Sequence, residues 1–539
     1  MALLKMSYFS GKVLLGDLDD FIAPAQACST GLFSDSGSST HRGAQLVMED
    51  DLGESFDSSK ASVIRSSAAK IATVTLEDCL ACSGCVTSAE TILIQQQSTS
   101  TFVEELKEAE KHKLYVVIVS RPSCVSIADA LSISPDEAYQ RITSVLKVSI
   151  GVDIVVRQDI GECISLVESI AEYTKRKASS AAVASVLTQP SYAVNQDLSI
   201  YPKNNQLITS IDLDPITEST DDYDVLSSQA YHALPETSPH IGPNAPLITS
   251  NCPGWVCYAE KKAHALVPFL SSVRSAPQVT AALLRRLLPA HVAPALANGD
   301  IFIACVASCY DRKLEASRRD FLDADGTRHV NCVLSSQELF DLLQNPPDFR
   351  HASSVVWDEA WWSTLEAPLL TDFDAALFSS GGVLEGVVAS VVASRPSAHV
   401  ETRTVRNSDF VEVTVVDGEE RVFSGAFVYG FRNIQNLVMK TKRRKCAYDV
   451  VEVMACPSGC LNGGGQIKPE KREDMMLIAE KLKALYVKDG RAFDLERVRA
   501  GVRRVYEELG LAEGSEELFA LFHTRFHIIP EITVNSLHW

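Results

Sequence analysis

The chain reads as an α/β protein whose sheets are parallel and covered by helices on both faces. Three observations predict this. Runs such as Leu114-Tyr115-Val116-Val117-Ile118-Val119 are continuously apolar and β-branched between polar flanks, the mark of a strand buried on both sides. These runs alternate with stretches of helical spacing, which is how parallel strands are joined. Three single cysteines, Cys252, Cys309 and Cys456, each follow a strand-like segment, and ligand crevices of open α/β sheets form at the carboxyl ends of strands.

Residues 1–28 are short apolar pieces ending at Cys28. From 29 to about 70 the composition turns to Ser, Gly, Asp and Thr, too polar to offset ordering entropy, and reads as a mobile insertion. Cys79, Cys82 and Cys85 follow, and residues 91–94 read as a strand. After the strand at 114–119, Ser134-Pro135-Asp136-Glu137 combines a capping box with proline at the first helical position. Residues 152–156 are the next strand, and 163–176 have helical spacing. Residues 187–245 are rich in Ser, Thr, Pro and Asp and read as a second insertion. Residues 246–250 then lead to Cys252, a strand at 300–306 leads to Cys309, and a strand at 448–454 delivers Cys456. Apolar alternation at 411–416 and 421–428 around Asp417-Gly418 predicts a hairpin.

With 539 residues the chain is long enough for two to four domains. Fifty basic against 69 acidic residues give a net charge of −19, which repels phosphate backbones and anionic lipid. Neither nucleic acid nor a membrane is expected as a partner. Ala25-Gln26-Ala27 before Cys28 imitates a leader cleavage site, but Asp17, Asp19 and Asp20 occupy the place of its apolar region. No apolar run has membrane-spanning length, so the expectation is an unprocessed cytosolic protein. Its 14 cysteines are then read as thiols or metal ligands in preference to disulfides.

Cys79, Cys82 and Cys85 have the C-x2-C-x2-C spacing of an iron-sulfur loop. Zinc sites more often use two separated C-x2-C pairs, and there is no second pair here. A ferredoxin would add a cysteine and proline where Ala89-Glu90 stand; Cys28 is the nearest upstream candidate for a fourth ligand. Cys456 and Cys460, followed by Gly463-Gly464-Gly465, could place two thiolates on one centre under bare backbone, or could be a turn with inert thiols. With Cys252 and Cys309 they would make the four ligands of a 4Fe-4S cubane, although spacing alone does not select these over Cys305 or Cys446.

Thr249-Ser250-Asn251-Cys252-Pro253-Gly254-Trp255, Cys309 with Lys313 and Glu315, and the stretch from Glu452 through Cys456 and Cys460 to Gly465 resemble the three signature segments of iron-only hydrogenases. The closer resemblance is to the hydrogenase-like proteins of eukaryotic cytosolic iron-sulfur assembly, the nuclear prelamin A recognition factor-like family. Asp78 to Cys85, Trp255 to Lys261, Lys313 to Arg318 and Tyr429 to Asn436 also carry it, and it covers nearly the whole chain outside the Ser-rich stretches. The resemblance implies an iron-only hydrogenase-like fold, two lobes of parallel sheet flanked by helices around a buried cluster, with an N-terminal cluster-binding segment. It implies one 4Fe-4S cluster on Cys28, Cys79, Cys82 and Cys85, and a second on Cys252, Cys309, Cys456 and Cys460. In the hydrogenases the equivalent of Cys460 also bridges to a diiron centre, and a proton-relaying cysteine stands where this chain has Asn251. Asn251 has no thiol to titrate. Arg312 stands where a lysine is expected, and Ala307-Ser308-Cys309 replaces Met-Pro-Cys.

The division expected is 1–110 for the N-terminal cluster segment, 111–290 for lobe 1, 291–490 for lobe 2 and 491–539 for a C-terminal helical segment and docking tail. Cys124, Cys163, Cys257, Cys305, Cys332 and Cys446 are read as structural thiols, and His240, His264 and His523 as ordinary polar or core histidines. The basic run 440–445 suits either a nuclear signal or a solvated loop. Leu537, His538 and Trp539 resemble the aromatic-ending tails by which assembly factors dock on the cytosolic iron-sulfur targeting complex. The expected function is therefore non-enzymatic: a cytoplasmic assembly factor holding two 4Fe-4S clusters, partnered by early scaffolds, the targeting complex and apoprotein clients. The competing readings are a hydrogenase or electron-transfer enzyme, and a nuclear lamina-associated binding protein.

Overall fold

The computed structural model describes residues 93–107, 114–187, 246–346 apart from 293 and 324, 359–373, 382–468, 481–485 apart from 483, and 494–529. The predicted first-cluster ligands Cys28, Cys79, Cys82 and Cys85, the first insertion, the second from residue 188 on, and the tail residues Leu537, His538 and Trp539 lie outside these residues.

The first sheet is built on β1 (Leu114–Val119), all six residues of which are buried. The chain turns at Ser120, whose side chain accepts from the Ser123 N–H, into helix α1 (Arg121–Leu131). Helix α2 (Pro135–Ser144) starts as predicted, with Ser134 capping the Glu137 N–H. β2 (Ile154–Arg157) then pairs parallel with β1, and helix α3 (Asp159–Leu187) follows. β3 (Leu247–Thr249), helix α4 (Pro253–Lys262) and helix α5 (Ala276–His291) lead to β4 (Ile301–Ala307), which pairs parallel on the other side of β1. Helix α6 (Asp311–Ala316), β5 (Cys332–Ser335) and helix α7 (Ser336–Gln344) come next. The sheet order is β2-β1-β4-β5, all parallel.

Helix α8 (Ala360–Phe373) and helix α9 (Val383–Ala393) precede β6 (His399–Thr404), β7 (Phe410–Asp417) and β8 (Glu420–Tyr429). The hairpin predicted around Asp417-Gly418 joins β7 to β8, with Gly418 at φ 65°. Helix α10 (Phe431–Lys442) and β9 (Val450–Met454) complete the second sheet, in the order β3-β9-β8-β7-β6. Here β3, β9 and β8 are parallel, and the β6 to β8 ribbon extends them antiparallel. Helices α11 (Leu495–Leu509) and α12 (Glu516–Phe522) form the C-terminal helical segment.

The period of two along each strand sorts side chains into different cores. Tyr115, Val117 and Val119 face a core with α1 and α2, while Val116 and Ile118 face one with α3 and α5. That second core also receives Leu247 and Val450 from the other sheet, whose opposite face packs Ile248, Val451 and Val453 against Trp255 and α10. The layers are therefore helix, sheet, helix, sheet, helix, the architecture of parallel sheets buried on both faces.

Two expectations need correction. Residues 93–95 form a helical turn and not a strand; Ile94 is buried beside Leu314. A four-residue apolar run carries no period to separate the two forms, and packing decides it. The lobes also do not divide at residue 290. β4 and β5 lie beyond it yet pair with β1, and β3 lies before it yet pairs with β9. The contiguous division assumed that successive strands share a sheet, whereas the chain crosses between sheets at β3 and β4. The basic run closes α10 at Lys442 and continues as an exposed turn through Arg443, Arg444 and Lys445 before β9, while Lys440 Nζ lies 3.1 Å from the Tyr448 hydroxyl.

Glu366 on α8 is buried, and its carboxyl is pushed up from 4.5 to about 8 by burial, with the charge of Asp159 adding to it. The folded state thus keeps a proton that the unfolded chain releases, and stability from this group falls as pH rises between these values. Glu366→Gln should flatten that fall, gaining roughly 1–3 kcal/mol over wild type at pH 8 relative to pH 5. Urea unfolding at the two pH values checks it.

Candidate metal centre

Three strand ends meet at one place. β3 ends at Thr249; Ser250 Oγ donates to the Val453 carbonyl at 2.5 Å and accepts from the Cys252 N–H at 3.0 Å. That hydrogen-bonded turn sets Cys252 at the N-cap of α4, ahead of Pro253. β3 and β9 are in register at Thr249 and Glu452, so Cys252 and Cys456 leave the sheet side by side. β4 ends at Ala307 and passes through Ser308 and Cys309 into α6.

The loop after β9 turns through two left-handed residues, Ser458 at φ 59° and Gly459 at φ 73°. The Ser458 N–H donates to Asp409 Oδ1 at 2.7 Å, and the Gly459 N–H to the Cys456 carbonyl at 3.2 Å. A short 3-10 turn from Gly459 to Asn462 then carries Cys460. The glycines after it lie against the other sheet. Gly465 N–H donates to the Ser308 carbonyl at 2.9 Å, and a Cβ on Gly463 would stand 2.2 Å from that same oxygen. A Cβ on Gly465 would meet Ser335 Cβ at 2.8 Å and Cys309 N at 3.2 Å. Backbone must touch backbone here, which is why the run is glycine. Farther on, Gln466 Nε2 donates to the Pro122 carbonyl at 3.0 Å and the Ile467 N–H to Ser126 Oγ at 3.1 Å. The loop thus ties the second sheet to α1 of the first, at the point where strand order reverses between β1 and β4.

Of the eight predicted ligands, the structure gathers Cys252, Cys309, Cys456 and Cys460. They lie within electrostatic reach of one another: Cys252 of Cys460, Cys309 of Cys252 and Cys460, and Cys456 of all three. Burial pushes the Cys252 thiol up to about 12, with the Asp311 carboxylate and Cys460 adding, and N–H groups of Ala455 and Trp255 partly opposing. Cys309 and Cys456 are driven well above the usual thiol range, again first by burial. Burial thus holds the thiols of Cys252, Cys309 and Cys456 protonated until a metal supplies positive charge. Among the described residues no three His, Cys, Asp or Glu side chains converge on a single-ion position. A four-iron cube puts its own atoms between the thiolates and asks for convergence at longer range. The all-cysteine donor set and the glycine cradle fit such a group. Cys305, by contrast, points from mid-strand into the central core, and Cys446 packs beside α10, which separates them from the four.

Charge balance at the site was not legible in the sequence. Asp311 is buried next to Cys309. Arg312 is also buried; its Nη1 bonds Glu315 at 2.6 Å and its Nη2 the Asn251 carbonyl at 2.7 Å. Its guanidinium is held charged by the Glu315 carboxylate against the pull of burial. Asn251 Oδ1 accepts from the Ala276 N–H at 3.3 Å, a helix-start contact that a cysteine would make poorly. Lys313 turns the other way, to Glu338 at 2.7 Å and the Gln97 carbonyl at 2.6 Å. Arg312 and Asn251 were noted as departures from hydrogenases; that they bind each other needed the fold. His523 is a core histidine as expected, bonded to Ser272 Oγ at 2.8 Å and Glu168 at 3.1 Å.

Gly463→Ala should cost roughly 3 kcal/mol, because the carbonyl it strikes belongs to a packed turn and cannot yield. Gly418→Ala, in open space at φ 65°, should cost only about 1 kcal/mol. Parallel denaturant titrations compare them.

Residues 206–464 match the family model described as iron only hydrogenase large subunit, C-terminal domain. The chain is 32% identical to Protein NAR1 of Arabidopsis thaliana, over 98% of this chain and 99% of that protein. It is 34% identical to cytosolic iron-sulfur assembly component 3 of Rattus norvegicus, over 99% of this chain and 100% of that one. The solved FeFe-hydrogenase HydA1 from Chlamydomonas reinhardtii shares the fold, with a TM-score of 0.53 at 21% identity, across 81% of this chain and 99% of its own. No helix among the described residues is long and apolar enough to cross a membrane.

Proposed function

The chain belongs to the family of cytosolic iron-sulfur assembly components related to iron-only hydrogenases, and from that membership we propose that it holds two 4Fe-4S clusters and helps deliver preassembled clusters to extramitochondrial apoproteins. The observation that carries the reading is the meeting of Cys252, Cys309, Cys456 and Cys460 at three strand ends. These residues would hold the second cluster, and Cys28, Cys79, Cys82 and Cys85 the first. A bound cube supplies four irons and four sulfides that can store an electron or pass to another thiolate set. This chain's part is to present thiolates, keep water from the buried set, and give one ligand up more readily than the rest. Cys28, separated from its partners by a long polar stretch, is that ligand, and its exchange for a client thiolate is the transfer step.

Hydrogen chemistry is not part of this role. Asn251 offers no titrating proton, and its carbonyl and amide oxygen are engaged by Arg312 and the Ala276 N–H. Early scaffolds load the chain, and the targeting complex receives it through Leu537, His538 and Trp539 in the cytosol. Iron and sulfide assays on anaerobically purified chain should give about eight of each, with two cubane spin signals and no hydrogen evolution. A low-temperature diiron signal with hydrogen production would replace this reading with a hydrogenase.

A further inference from the structure

We infer that residues 524–529 form a gate over the second cluster site, with Phe526 as its plug and Glu260 as its latch. After α12 the chain does not leave the surface but runs back across the end of α4. The Thr524 N–H donates to the Ser272 carbonyl at 2.7 Å, and the Ile529 N–H to the Glu260 carbonyl at 2.9 Å. Between them the His527 N–H donates to Glu260 Oε1 at 3.0 Å. The Glu260 carboxylate is itself fixed by Arg318 through bonds of 2.6 and 2.9 Å, so the latch is a rigid acceptor. It sits on the helix that begins at Cys252.

Phe526 lies under the Arg318 guanidinium, 5.8 Å from ring centroid to Cζ. The ring forms one wall of a small pocket, and Asn251, Cys252, Pro253 and Cys257 form others. A thiol of the cluster site and the ring of a surface strap therefore share one space. The strap is held by few bonds and leaves Ile528 and Ile529 52% and 43% exposed. Short terminal segments with so few contacts open at far lower free energy than the core. The chain beyond it leads within ten residues to Trp539, so a partner that takes the tail acts on the strap that covers Cys252. The sealing of a cluster rests on the function proposed above; the sealing of the Cys252 thiol does not.

Two arms test the gate on the full chain. In the metal-free protein, alkylation by N-ethylmaleimide is followed cysteine by cysteine by peptide mass spectrometry. Phe526→Ala should speed labelling of Cys252 about tenfold while Cys305, in the central core, stays unlabelled. If Cys305 also reacts the variant has unfolded, and His527→Pro, which removes the N–H held by Glu260 together with the imidazole near Asp320 but leaves the Phe526 ring, takes its place with the same expectation. Labelling of Cys252 unchanged in a variant whose Cys305 stays protected overturns the gate. In the iron-loaded protein, release to a ferrous chelator should quicken about tenfold in the same variant. A wild-type chain that holds no iron on Cys252, Cys309, Cys456 and Cys460 would refute the assignment of the second cluster and leave the alkylation result to decide the gate.

Discussion

Cys456→Ala will halve the iron and sulfide bound by the chain, removing about four of each, and will lower the thermal midpoint by roughly 5 °C or more. The loop that carries Cys456 is not local to its own sheet. Through Gly465 and Ser308, Gln466 and Pro122, and Ile467 and Ser126 it joins the two sheets. The proposed cluster, bound to Cys252 and Cys456 from one sheet and to Cys309 from the other, would close the same junction a second time. Its loss leaves hydrogen bonds alone to hold the junction and three thiols buried without metal. Cys28→Ala should remove the other half of the iron and leave the thermal midpoint nearly unmoved, since its proposed partners are Cys79, Cys82 and Cys85 and not the thiols that join the two sheets. Iron and sulfide assays beside calorimetry on both variants separate the sites; equal losses of stability in the two would count against the assignment.

Much of the sheet scaffold could be read directly. The runs at Leu114–Val119 and Ile301–Ala307 are apolar at every position because both faces are covered, and nothing but a buried strand explains them at that length. The hairpin at Gly418 and the cap at Ser134 were legible because turn and cap chemistry is local. Helix α1, with Pro122 in its first turn and small polar residues through it, shows too weak a period to announce itself. The crossing of the chain between sheets was not legible either, since pairing of β1 with β4 joins residues nearly two hundred positions apart. The same distinction runs through the site. Residue type and the family resemblance picked out Cys252, Cys309, Cys456 and Cys460, while the reason Cys305 is excluded is its place in mid-strand. Gly463-Gly464-Gly465 announced a close approach of backbone without saying to what; the answer is Ser308.

Arg312→Ala should cost about 3–5 kcal/mol. Arg312 and Glu315 are 6% and 8% exposed and meet at 2.6 Å, so removing the guanidinium strands a carboxylate in a site that already holds the buried Asp311. The cost is mainly that of the stranded charge, which a double-mutant cycle exposes: Arg312→Ala with Glu315→Ala should be less destabilised than Arg312→Ala alone. Arg312→Lys keeps the charge but has no fork to reach Glu315 and the Asn251 carbonyl together, and should lose about 1–2 kcal/mol. The bond to Asn251 makes this more than a stability experiment. It links the helix after Cys309 to the turn before Cys252, so the two proposed ligands from different sheets are held at one separation by a side chain that stands where a lysine was expected. Loss of iron in Arg312→Lys beyond what its stability predicts, with the first cluster intact, would mark Arg312 as a positioning residue for the second cluster. Full iron occupancy in that variant would confine it to a structural ion pair.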